Sequence, residues 1–101
     1  MIVRSNKIRQ AAKGQECTIN IPGVCKYDTD TTVLAHINDK HHGTGMKASD
    51  ISACFACFDC HNAIDRTPIC EKFEEFRDWY LLRGIRRTWE ILIDLGIITV
   101  K

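Results

Sequence analysis

At 101 residues the chain has room for one domain and not for a second core. Hydrophobic residues at 45% and charged residues at 27% exclude a disordered chain, and a net charge of +1 excludes a strongly basic, charge-driven nucleic-acid coat. So small a domain buries a modest core, and its six cysteines are the obvious candidate staple.

The opening Met1–Lys7 lacks the apolar run of a secretory leader, and no stretch approaches the ~18 apolar residues of a membrane-spanning helix. The sequence therefore predicts a cytosolic protein, where thiols stay reduced and clustered cysteines hold metal more often than they form disulfides. Residues 5–13 read as a short helix, with Ser5 to cap it, Ile8, Ala11 and Ala12 on one face, and Gly14 to stop it. Cys17-Thr18-Ile19-Asn20-Ile21 alternates like a strand and runs into the Pro22-Gly23 turn. Thr31–Ile37 is rich in β-branched residues and predicts a strand, followed by a polar loop with Gly43 and Gly45. Ile51–Phe55 is the candidate returning strand, and Asp59 can cap a short helix that carries His61, Ile64 and Asp65 and ends before Pro68. From Glu71 to Leu95 the apolar residues recur at helical spacing. Gly84 interrupts that stretch, which predicts two helices or one kinked helix, with Gly96 as its stop. Its aromatic stripe reads as core, without chemistry.

The chemistry falls between Cys17 and Asp65. Cys57-Phe58-Asp59-Cys60 is a C-x-x-C knuckle, a spacing that lets two thiolates converge on a tetrahedral zinc, and Cys17 with Cys25 across the turn is its expected partner pair. Cys54 also stands in a C-x-x-C with Cys57, so the spacing alone allows either knuckle. His36 ends the predicted strand. His61 and Asp65, at i and i+4, share one face of the predicted helix, where an imidazole and a carboxylate can hold one divalent ion. A strand histidine facing that ion can deprotonate water, which supplies the base and the Lewis acid that phosphodiester hydrolysis needs. Lys47 and Arg66 are candidate phosphate contacts.

Taken in order, Ala35-His36-Ile37, Gly43-Thr44-Gly45-Met46-Lys47 with Asp50, and Cys57-Phe58-Asp59-Cys60-His61-Asn62-Ala63-Ile64-Asp65 resemble the HNH nucleases. The nearest resemblance is to the small YbcO-like group of prophage-encoded nucleases, strong over residues 8 to 66 and looser beyond. It implies an α+β, zinc-stapled ββα-metal (HNH-like) domain spanning residues 1–101, with its core at about 17–66 and a C-terminal helical part at about 71–95. It implies His36 as general base, and His61 and Asp65 as ligands of a catalytic Mg2+ or Mn2+. It also implies Cys17, Cys25, Cys57 and Cys60 as ligands of a structural Zn2+, which selects 57/60 as the knuckle and leaves Cys54 and Cys70 as buried small hydrophobes. Many HNH enzymes carry a metal ligand just before the base. Here that position is Ala35, which leaves Asp50 or His42 to complete the shell. The implied function is a metal-dependent endonuclease acting on DNA in the cytoplasm of a bacterial host. It would be phage or prophage encoded, serve recombination or DNA processing, with a recombination protein as a candidate partner, and have no membrane partner. The other reading is a zinc-stabilised module that binds nucleic acid or protein without catalysis, favoured by the near-neutral charge and by Ala35.

Overall fold

The computed structural model describes residues 2–37 and 49–101. Helix α1 (Asn6–Ala11) starts where the sequence indicates: the Ser5 hydroxyl accepts from the Ile8 N–H. A single 3-10 turn at Thr29–Thr31 leads into β1 (Val33–His36), which pairs antiparallel with β2 (Ala53–Ala56). Helix α2 (Phe58–Ile64) follows at once, so the middle of the chain runs strand, strand, helix. The last part is α3 (Glu71–Glu75) and the long α4 (Arg77–Asp94).

All four residues of β2 are buried, and their alternation divides the core. Cys54 and Ala56 join Ile19, Ile21, Ala35, Ile64, Phe73, Tyr80 and Leu81 on one side. Phe55 joins Ile8, Ala12 and Leu92 on the other, against α1 and the far end of α4. Register places Ala35 opposite Cys54. Ala35 is thus fully buried, and the position before His36 belongs to the core.

Four elements differ from the sequence-based expectation, one of them the aromatic stripe assigned to the core, of which Phe73 and Tyr80 are buried but Phe76 and Trp89 are exposed. Cys17–Ile21 is not a strand. It meets β2 through the Thr18 N–H to Phe55 carbonyl bond at 2.8 Å, and the Thr18 hydroxyl donates to the same carbonyl at 2.9 Å. The Thr88 hydroxyl accepts the Phe55 N–H at 3.0 Å, so two threonines satisfy the outer edge of β2 in place of a third strand. Asn20, at φ 47°, then turns the chain toward the cysteines. The second difference is Gly84, which does not kink α4. A Cβ at this position would lie 3.1 Å from the Cys54 Cβ and 3.4 Å from the Ile19 Cβ, so the glycine lets the helix close on the sheet. The actual break is at Phe76 (φ −125°, ψ 33°), between α3 and α4. The third is Asp59, which sits in the first turn of α2; the capping position is Cys57. Gly96 ends α4 as expected, with φ +74° and with the Ile97 N–H bonded to the Leu92 carbonyl at 2.9 Å.

Candidate functional site

Four thiols converge beside α2. Cys57 caps that helix and Cys60 lies in its first turn, while Cys17 and Cys25 arrive from the two ends of the Asn20–Val24 bend. All four Sγ atoms lie within 4.8 Å of one another, and those of Cys25 and Cys57 are 3.8 Å apart. Four sulfurs at ~2.3 Å from a tetrahedral zinc would be about 3.8 Å apart. The donor set therefore fits a closed, structural metal site. Cys25 Sγ also accepts the Tyr27 N–H at 3.4 Å and lies 3.6 Å from Asn20 Nδ2, contacts that suit a thiolate. The Cys60 thiol donates to Cys17 and, with nearby backbone amides, overcomes burial to hold Cys17 down to about 5. Cys60 is pushed up by that same bond and by burial, and Cys25 is pushed up chiefly by burial. One thiol ionises at its neighbours' expense, and a divalent cation would allow all four to lose their protons.

Cys54 is not in this cluster. It is buried against Gly84, and burial pushes its thiol up to about 12. Cys70, half-buried, caps α3.

The second cluster surrounds His36. Its Nε2 lies 2.8 Å from Asp50 Oδ1, while Asp50 Oδ2 accepts the Ser5 N–H at 2.6 Å and Arg9 Nη1 at 2.7 Å. Asp50 is only 2% exposed, and burial alone would favour its neutral form. The bonds from His36 and Ser5 and the charge of Arg9 outweigh that, and hold its carboxyl below the usual range. Both oxygens are thereby committed to protein donors. Asp50, a sequence candidate for a metal shell, braces His36 against α1. His42 and Lys47 lie outside the described residues.

On α2, His61 Nε2 and Asp65 Oδ2 are 3.2 Å apart, both partly exposed. A cleft of about 310 Å3 is lined by His36, Ile64, Asp65, Arg66 and Arg77. Three residues singled out from sequence, His36, Asp65 and Arg66, thus share one concavity, with His61 bonded to Asp65. Arg77 was not among the sequence candidates. It donates to Glu74 Oε2 at 2.7 Å and to the Ile64 carbonyl at 2.9 Å, and it stacks 5.2 Å from the Phe73 ring. Arg66, in the left-handed region at φ 57°, donates to Glu74 Oε1 at 2.9 Å. Burial pushes Glu74 up, but the two arginines outweigh it and hold the carboxyl down, so one acid anchors two cations at the cleft. The sequence signal for Arg77 is its i, i+3 spacing from Glu74.

The family described as "Putative nuclease YbcO" matches residues 6–97, which include both clusters. The chain belongs to the YbcO family. Two relatives, from Escherichia coli K12 and from Enterobacteria phage 82, carry that same description, and each is 50% identical over 92 residues, covering 90% of this chain and 95% of the relative. A solved structure, described as that of "a putative bacteriophage protein" from Escherichia coli K-12, has 37% identity and a TM-score of 0.72, and it covers 89% of this chain and all of its own. No helix among the described residues is long and apolar enough to cross a membrane.

Proposed function

We propose that this YbcO-family protein is a metal-dependent endonuclease of the HNH, ββα-metal type that hydrolyses DNA phosphodiester bonds. The observation that carries the reading is the cleft: a histidine braced by a buried carboxylate, a helix carboxylate bonded to a second histidine, and two arginines meet in one concavity. With Nε2–H donated to Asp50, His36 accepts the proton of an attacking water at Nδ1, and the buried carboxylate stabilises the imidazolium that forms. Arg66 and Arg77 bind the phosphate, and Glu74 fixes both guanidinium groups so that little side-chain freedom is lost on binding. Lys47 is a further phosphate contact. His61 and Asp65 hold a Mg2+ or Mn2+ ion, which when bound supplies Lewis-acid stabilisation of charge on the phosphate and leaving oxygen. Cys17, Cys25, Cys57 and Cys60 hold a structural Zn2+ that ties the Asn20–Val24 bend to α2. The phage 82 relative supports a phage or prophage setting; work on that DNA in the host cytoplasm, in recombination or DNA processing, is part of the proposal.

The alternative, a zinc-stapled binding module, is favoured by one observation. Ala35 is buried and Asp50 is committed to His36, Arg9 and Ser5, so among the described residues the catalytic ion keeps only His61 and Asp65. Nicking of supercoiled plasmid with and without Mg2+ or Mn2+ decides between them. Metal-dependent nicking supports the nuclease; stoichiometric DNA binding without nicking supports the module.

A further inference from the structure

Helix α4 buries Tyr80, Leu81, Gly84, Thr88 and Leu92, so its opposite side should be polar. It is not. Trp79, Leu82, Trp89 and Ile93 are exposed at 57%, 54%, 42% and 42%. With Arg86 between them they are spaced 3, 4, 3 and 4 residues apart, the spacing of a two-helix seam, and they fall within roughly 80° of the helix circumference. The Trp89 indole N–H is already bonded to the Ile51 carbonyl at 3.0 Å, so the ring presents hydrocarbon. Beside it lies a shallow cavity of about 290 Å3 lined by Ile51, Trp89, Ile93, Ile98 and Val100. Single exposed leucines need no explanation, but four large apolar side chains on one helix face do, even with Arg86 among them and Arg83 stacked 4.8 Å from the Trp79 ring.

We propose that α4 is the interface of a two-fold, antiparallel homodimer. The occupant follows from self-complementarity. A parallel pair would set Arg86 against the partner's Arg86 in the middle of the seam. Antiparallel pairing, with each first seam position opposite a fourth, brings Leu82 to the partner's Ile93 and Arg86 to the partner's Trp89, a guanidinium over an indole face. Trp79 then reaches past the partner's last helical residue, Asp94, where no side chain of the helix opposes it. Leu82 then enters the partner's apolar cavity, and the two-fold repeats each contact. Complete cover of Trp79, Leu82, Trp89, Ile93, Ile51 and Val100 would bury roughly 600 Å2 per protomer before Arg86 and the flanks are added, the lower end of the ~1,200–2,000 Å2 total of a stable interface. The net charge of +1 sets little repulsion between copies. Arg77 lies about 160° around the helix from the seam, so the cleft stays open in the dimer.

Sedimentation velocity on the zinc-loaded full chain tests the proposal. The mass should rise from 11.5 kDa toward twice that value with concentration, in the micromolar range. Leu82→Glu and, independently, Ile93→Glu should each return the monomer with zinc content and far-UV spectrum unchanged; if one fails to fold, the other gives the reading. A photo-crosslinking residue at position 82 should capture the Thr88–Lys101 tryptic peptide of the other copy. A monomer at several hundred micromolar would overturn the proposal, as would a dimer indifferent to both substitutions or capture of the position-82 peptide by itself. Quenching of tryptophan fluorescence by a single-stranded oligonucleotide in a strictly monomeric protein would make the stripe a base-stacking platform, and would likewise overturn it.

Discussion

Replacing Asp50 by Asn separates positioning from metal binding. The carboxylate, 2% exposed, accepts the Ser5 N–H at 2.6 Å and Arg9 at 2.7 Å and lies 2.8 Å from His36 Nε2. Hydrogen bonds to a charged group contribute about 1.5–3 kcal/mol each. The Arg9 side chain is 40% exposed, so that pair is discounted to about 0.5–1 kcal/mol. An amide still accepts part of this set, so Asp50→Asn should lower stability by about 2–4 kcal/mol, and Asp50→Ala by more, because it leaves every donor without an acceptor. The sign with pH follows from the depressed carboxyl. Its contribution is complete above the ordinary carboxylate range and is lost as pH falls through the lower folded value, so the whole penalty is read at neutral pH. Urea unfolding of zinc-loaded protein measures it. Nicking by the same variant should fall by about 10²- to 10⁴-fold, the range for losing a histidine's orienting carboxylate or the base itself, and excess Mn2+ should not restore it. Parental stability would refute the bonding account. Rescue by Mn2+ would refute the positioning role and make Asp50 a metal ligand.

Elemental analysis should find one zinc per chain, and Cys57→Ser or Cys60→Ser should abolish folding, whereas Cys54→Ser should keep the metal; a zinc-free, folded Cys60→Ser protein would contradict the staple. Apparent zinc binding should be worth on the order of 10 kcal/mol at neutral pH. Because Cys25 and Cys60 are pushed up and keep their protons at pH 7, zinc uptake should release protons and weaken as pH falls, which calorimetry in buffers of different ionisation heat would register. Arg66→Ala and Arg77→Ala should each weaken DNA affinity and reduce the salt slope by about one, with Arg66→Lys milder; unchanged slopes in both would remove the arginines from the phosphate site.

Local signals were the legible ones. Ser5 caps α1 and Gly96 ends α4 because each acts on its own turn of backbone. The Cys57/Cys60 knuckle was legible only with the family resemblance, since spacing alone equally allowed Cys54 with Cys57. What sequence misjudged depends on distant parts of the chain. Cys17–Ile21 alternates like a strand, yet the threonine contacts to Phe55 and the pull of the thiol cluster bend it away. Gly84 looks like a helix breaker until Cys54, 30 residues earlier, is seen against it. The brace on His36 joins residues from α1, β1 and the segment before β2, with separations of up to 45 residues that no local pattern encodes. Arg77 carried a local signal in its i, i+3 spacing from Glu74 but lay inside a stretch that reads as core, and its bond to the Ile64 carbonyl, 13 residues earlier, is what brings it to the cleft.

The central claim is that His36 is the base of a nuclease, and the most direct measurement is plasmid nicking by His36→Ala beside His61→Ala. Both proteins should remain folded and zinc-loaded, since neither histidine belongs to the four-thiol site. His36→Ala should cleave about 10²- to 10⁴-fold more slowly at every Mn2+ concentration, because proton transfer is what is missing. His61→Ala should recover in part as Mn2+ is raised, because the missing function is metal affinity. A folded, zinc-loaded His36→Ala protein that nicks DNA like the parent would contradict the account.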